Sequence, residues 1–213
     1  MSEAPRDSRP DARPGAKSII LASQSRFRRA VLAHAGISFA VEAAAIDEAE
    51  VRAGCRAAGE DARAAAMALA ELKAVRISRR HPDALVIGAD QMLECDGAWF
   101  EKPVDRDSAR TSLLALRGKT HQLVTAVCVA QAGQRIWHHA ESAHLTMRQF
   151  SDGFLESYLD AAGDDTLLTV GAYQVEGLGI QLFERVEGDH STILGLPLLP
   201  LLDFLRGHGA VPR

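Results

Sequence analysis

The sequence predicts an α/β fold with a mixed sheet, and three observations lead there. Short apolar runs bounded by turn residues interleave with helical stretches along the chain. Asp96-Gly97 lies between two short strand-like segments, a strong signal for a tight antiparallel hairpin. Neither an internal repeat nor an interdomain linker divides the 213 residues, so one domain over residues 18–207 is expected after a disordered lead-in of residues 1–17.

Each element has a local reason. Ser18 to Ala22 reads as a short apolar strand running into Ser23-Gln24-Ser25, after which a helical pattern reaches His34 and stops at Gly36. Phe39 to Val41 forms a second strand and leads to an acidic stretch, Asp47 to Glu50. Asp61 caps a long alanine-rich helix to about Arg80, broken by His81-Pro82-Asp83. Ala84 to Ala89 reads as a buried strand ending in Asp90. The hairpin pairs Met92 to Cys95 with Ala98 to Phe100, and Asp105 or Asp107 caps a helix through Leu116. Two strands follow, Gln122 to Ala130 and Arg135 to Met147, joined around Gly133. Ser151 opens a helix through Ala161, a glycine-rich loop spans Gly171 to Gly179, Ile180 to Val186 is a strand, and Leu198 to Leu205 is the last helix.

Composition narrows the function. The net charge of −4 and pI near 6.1 disfavour a nucleic-acid polymer as partner, although a local cluster of cations can still take a small anion. Cys55, Cys95 and Cys128 are far apart with no CxxC pair, which suits a reducing compartment and argues against a cysteine zinc site. No apolar run reaches membrane-span length, and Met1 to Lys17 lacks the apolar block of a secretion signal, so the cytoplasm is the expected location.

Several residues are out of place unless they do chemistry. Arg26, Arg28 and Arg29 begin a helix, where the macrodipole disfavours cations. An anion bound at that end, held also by free N–H groups and the Ser23 and Ser25 hydroxyls, would explain them. Asp90 closes a strand too apolar to be exposed, which suits a carboxylate in a cleft. Asp47 and Glu48 read alone as a solvated loop, but with Asp90 they could hold a hard divalent cation. Lys73 interrupts the apolar row Ala66, Leu69, Ile77 and either snorkels or meets a buried anion. Lys102, before Pro103, looks like a surface lysine by itself. His138, His139 and His144 show no metal-ligand spacing, His121 opens a strand and its role stays open, and neither a Ser-His-Asp signature nor a Walker-type loop is present.

Read in order, these blocks resemble the Maf family of nucleotide pyrophosphatases, linked by name to septum formation and similar in fold to inosine-triphosphate pyrophosphatases. The resemblance runs from about Ile19 to Leu205. It rests on LASQSRFRR (Leu21 to Arg29), IDE (Ile46 to Glu48), the helix with Lys73, GADQ (Gly88 to Gln91), EKP (Glu101 to Pro103), LRGKTHQLVTAV (Leu116 to Val127), GAYQVEGLG (Gly171 to Gly179) and EGDHSTILGLPL (Glu187 to Leu198). It implies an elongated, twisted mixed sheet flanked by helices, and cleavage of a nucleoside triphosphate into monophosphate and pyrophosphate. It also implies a divalent cation (Mg²⁺ or Mn²⁺) and, for many members, a homodimer. By the same resemblance Asp90 is the general base, and Ser23, Arg28, Arg29, Lys73 and Lys102 hold phosphates. Glu48 lies near the metal, which Asp90 could also ligate; the sequence does not separate the two roles of Asp90.

The chain departs from the family pattern at three places. Ser25-Arg26-Phe27 stands for the usual Ser-Pro-Arg, Thr169-Val170 for Lys-Ala, and Thr192 for an asparagine. Phe27, Gln91 and Glu176 resemble the branch that acts on 7-methyl-GTP rather than the one acting on dTTP and UTP. A methylated, cationic guanine would stack on an aromatic face, and Glu176 could accept from its N1–H and amino group. CTP is the competitor to watch, because cytosine also carries an amino donor. A nucleotide-binding regulator of cell division is the rival from another class; it would need the cations but not the carboxylates.

Overall fold

The computed structural model describes residues 17–213. Of the expected lead-in, residues 1–16 lie outside the described residues; Lys17 donates to the Gln131 side chain at 3.0 Å.

Among the described residues seven strands form one open, mixed sheet in the order β2-β1-β3-β5-β6-β7, with β4 also paired to β3. β1 (Ile19–Leu21) runs parallel to β2 (Ala40–Val41) and to the start of β3 (Leu85–Cys95). β3 is antiparallel to β4 (Ala98–Phe100) and β5 (Thr120–Gln131), which leads through β6 (Gln134–Met147) to β7 (Phe183–Glu187). The register forks one edge of β3. β1 takes Leu85 to Ile87 and β4 takes Leu93 to Cys95, while β5 covers the opposite edge from Val86 to Glu94. Gly88 to Met92 thus lie between two diverging strands, with a ladder only on the β5 side. A crevice at such a switch point, beyond the carboxyl end of a parallel strand, is where open α/β sheets bind ligands.

This corrects the expectation for Asp90. It does not end a strand but sits in the middle of an eleven-residue one, because β5 supplies a continuous ladder past it. Strand alternation then decides which side it serves. Val86, Gly88, Asp90 and Met92 face α3 (Ala62–Ser78), whose alanine-rich stripe Ala66, Ala70 and Ala74 packs with them in one core. Ile87, Ala89 and Leu93 face the other way. There α1 (Arg26–His34) and α7 (Leu198–Gly207) cover one end of the sheet, and α4 (Arg106–Leu116) and α5 (Asp152–Ala162) cover the other.

Helix starts follow the expected chemistry. Ser25, Asp61, Asp105 and Ser151 each accept a backbone N–H in the first turn, and Asp105 forms a reciprocal box with Ser108. Three local expectations change. The acidic stretch is not a loop: Asp47 caps α2 (Glu48–Ala57), and Glu48 and Glu50 fall in its first turn, where carboxylates suit the dipole. The strand expected from Ile180 starts at Phe183, after a 3₁₀ turn over Leu178–Leu182. A one-turn helix, α6 (His190–Ile193), precedes α7.

Candidate active site

The forked edge of β3 opens into a cleft of about 920 Å³. Its floor is a row of alternating charges. Lys73, only 6% exposed, emerges from α3 and donates to Asp90 Oδ1 at 2.5 Å. The same ammonium lies 2.7 Å from Glu48 Oε1, which α2 brings in from above. The second oxygen of Glu48 meets Arg52 at 3.5 Å, and Arg52 Nε donates to Glu101 at 3.2 Å. Asp90, Lys73, Glu48, Arg52 and Glu101 thus come from β3, α3, α2 and the segment just after β4 into one chain of ion pairs. Lys73 meets a buried anion rather than snorkelling.

The wall above this floor is cationic. Arg28 donates through Nε to the Gly195 carbonyl at 2.8 Å and through Nη1 to Ser23 Oγ at 3.1 Å, so the first helix is tied to the α6–α7 loop. Lys102 lines the mouth opposite. Its side chain is still accessible, yet desolvation, with Arg28 and Lys73 as like charges nearby, holds its ammonium below the ordinary lysine range. Burial likewise lowers Arg28, against the pull of Asp90 and Glu48. Desolvation works to raise Glu48, but Lys73, Arg52 and Arg28 outweigh it, and the carboxyl sits below its usual range. Arg29 is not brought here: it is exposed on α1 and does not line the cleft. On α1 the successive side chains of Phe27 and Arg28 reach the cleft, and the next step of about 100° carries Arg29 out to solvent.

A recess of about 40 Å³ opens off the cleft and shares Phe27, Gln91, Thr169, Val170 and Leu194 with it. Phe27, Gln91 and Glu176 all line this recess. Gln91 faces away from Asp90 and donates through Nε2 to Thr125 Oγ1 and to the Thr192 and Ile193 carbonyls. Thr125 gives its own proton to the Thr192 carbonyl, so it must accept from Gln91, which fixes the amide orientation. Thr192 donates from its hydroxyl to Glu141 at 2.7 Å, and Thr169 donates to the Tyr173 carbonyl at 2.6 Å. Two of the three departures from the family pattern, Thr169 and Thr192, are therefore absorbed into hydrogen bonds within the protein.

Sequence reasoning missed Arg52, because the helix that carries it was not recognised; the four-residue spacing from Glu48 on a shared helix was the available signal. Asp47 lines the cleft, and one of its carboxylate oxygens caps α2, accepting from Glu50 N–H at 3.0 Å. Among the described residues no group of three or more His, Cys, Asp or Glu side chains converges. Asp90 and Glu48 do converge, on either side of one ammonium. Two carboxylates, completed by phosphate and water oxygens, are the ligand set Mg²⁺ ordinarily takes, so these residues fit a divalent cation. Among the described residues no helix is long and apolar enough to cross a membrane.

The chain matches the family described as Maf-like protein over residues 18–208. It is 58% identical over 190 residues to a nucleoside triphosphate pyrophosphatase of Paramagnetospirillum magneticum, a match covering 89% of this chain and 98% of that protein. A nucleoside triphosphate pyrophosphatase of Granulibacter bethesdensis is 54% identical over 193 residues, 91% of this chain and 98% of that protein. A 7-methyl-GTP pyrophosphatase of Brucella abortus is 49% identical over 188 residues, 88% of this chain and 94% of that protein.

Proposed function

This chain belongs to the Maf family, and on that premise we propose that it is a divalent-metal-dependent nucleoside triphosphate pyrophosphatase with a preference for 7-methyl-GTP. The observation that carries the reading is the cleft at the forked edge of β3. It combines two carboxylates, Asp90 and Glu48, with the cations Arg28, Lys73 and Lys102 around one space.

The reaction needs water to attack the α-phosphorus while the bond to the β-phosphate breaks and pyrophosphate leaves. Arg28, Lys73 and Lys102 supply the positive charge that a triphosphate and a departing pyrophosphate require, and Ser23 adds a hydroxyl. Asp90 Oδ1 is paired with Lys73, and Oδ2 has no protein donor among the described residues, so it can accept the proton of the attacking water. Asp90 and Glu48 would hold Mg²⁺ or Mn²⁺, which when bound neutralises phosphate charge and polarises the phosphoryl group. Phe27 lines both the cleft and the recess, with the Arg26 guanidinium 4.9 Å from its ring centroid, and a cationic base would compete with that arginine for the aromatic face. Glu176 and the fixed Gln91 amide, whose Oε1 carries no protein donor among the described residues, offer acceptors to a base edge bearing N–H groups.

The test is pyrophosphate release from a panel of 7-methyl-GTP, GTP, CTP, dTTP and UTP, with Mg²⁺, with Mn²⁺ and with EDTA. The expected order of kcat/KM puts 7-methyl-GTP first. Equal turnover of dTTP or UTP would move the chain to the other specificity class. Nucleotide binding without release would make it a binding regulator instead.

A further inference from the structure

We propose that the Lys73 ammonium occupies the place of the divalent cation between Glu48 and Asp90, so that the cation enters with the triphosphate and not before it. This rests on the pyrophosphatase reading and concerns the order in which the same site is filled.

The geometry is specific. Lys73 Nζ lies 2.5 Å from Asp90 Oδ1 and 2.7 Å from Glu48 Oε1, and both the lysine and the aspartate side chains are 7% exposed. A cation shared by those two oxygens would need the same point in space, so ammonium and metal exclude each other there. Nor can Lys73 retreat into its own helix, where Leu69 and Ile77 flank it in a fully buried row. It must find another anion, and phosphates would lie in the cleft that it lines together with Arg28 and Lys102.

The charges favour an exchange. With Lys73 on the carboxylates, Asp90 and Glu48 are already compensated, Glu48 additionally by Arg52, so a free divalent cation must expel a buried cation that then has no partner. A triphosphate removes that obstacle. Lys73 moves from carboxylate to phosphate oxygens, trading one set of charge-assisted hydrogen bonds for another, and the released carboxylates take the metal. The sparse protein ligand set agrees, because two carboxylates leave most of the shell to phosphate and water.

Electron paramagnetic resonance titration with free Mn²⁺, without nucleotide, tests the exchange. Wild-type protein should bind Mn²⁺ weakly, with Kd above roughly 1 mM, and Lys73→Met should bind at least roughly tenfold tighter once the competing charge is gone. Lys73→Gln, which retains a hydrogen-bond donor without charge, should behave likewise and serves if the methionine variant fails to fold. Asp90→Asn in combination with Lys73→Met should abolish the gain. Tight Mn²⁺ binding by wild-type protein, or no gain in either Lys73 variant, would overturn the proposal. Pyrophosphate release by wild-type protein is measured alongside: its absence would remove the enzymatic reading, whereas release together with tight free-metal binding would refute the exchange alone.

Discussion

Gly88→Ala should separate the α3 helix from the sheet and disable the site without touching a charged group. Gly88 lies two residues before Asp90 on the same face of β3. A Cβ there would meet the Ala74 backbone nitrogen at 2.7 Å and the Ala74 Cβ at 3.0 Å, and would come closer still to the Ala70 carbonyl oxygen. The first and last of these are backbone atoms, so no rotamer change relieves the clash, and α3 must withdraw by on the order of 1 Å to restore ordinary contact. Overpacking of this kind costs about 1–3 kcal/mol, against which alanine regains about 0.5–1 kcal/mol of backbone entropy, so the net loss should lie between about 0 and 2.5 kcal/mol. The effect on activity should be larger in proportion. Lys73 lies between Ala70 and Ala74, and a misplacement of about 1 Å in a catalytic constellation can cost about 10²-fold. Urea denaturation and pyrophosphate release on the same preparation measure both. Gly54→Ala is the control: it lies within α2 with nothing within 4 Å of the new methyl, and should be neutral or stabilising by up to about 1 kcal/mol. A Gly88→Ala protein as stable and as active as wild type would refute the close-packing argument.

Other outcomes follow from the same geometry. Asp90→Asn should lower turnover about 10²–10⁴-fold with the fold intact by circular dichroism; near-wild-type rates would remove Asp90 from the chemistry. Arg28→Ala should lower kcat/KM by tenfold or more, on the order of one lost charge-assisted contact, while Arg29→Ala, which removes the same charge outside the cleft, should stay within about twofold. Equal effects would mean that only net charge matters. Glu176→Gln should erode the preference for 7-methyl-GTP over GTP, measured as the ratio of their kcat/KM values; an unchanged ratio would take Glu176 out of base selection. His121 is 2% exposed, and burial pushes its imidazole down to about 4. The unfolded chain therefore takes up the proton first, and stability present above about pH 6.5 should fall as the pH drops towards 4, by about 3 kcal/mol from this group. Urea midpoints from pH 7.5 to 4.5 should show a shallower decline in His121→Gln; parallel curves would contradict it.

Much of this protein is legible in its sequence because the signals are local. Caps at Asp61, Asp105 and Ser151, the Asp96-Gly97 turn and the apolar run before Asp90 act over a few residues, and the structure uses each of them. Lys73 could be singled out because one charge in an apolar helical row is conspicuous. The family resemblance, resting on blocks spread along the chain, anticipated the fold and the relatives that the chain matches.

What only the tertiary structure decided depends on pairings between distant segments. Whether Asp90 ends a strand or lies within one is set by β5, some thirty-five residues later, whose ladder continues past it. Arg52 entered the site because α2 lies against the end of β4, and Arg29 left it because the helix gives only one of two adjacent arginines to the cleft. The partners of Gln91 are about a hundred residues away in sequence at Thr192 and Ile193. The apolar run before Asp90 suggests a cleft, but its shape has no local signal, since it is the gap between β1 and β4 along one edge of β3. Hydrophobic period and capping chemistry specify elements one at a time, whereas a gap between two strands exists only once all three have been placed.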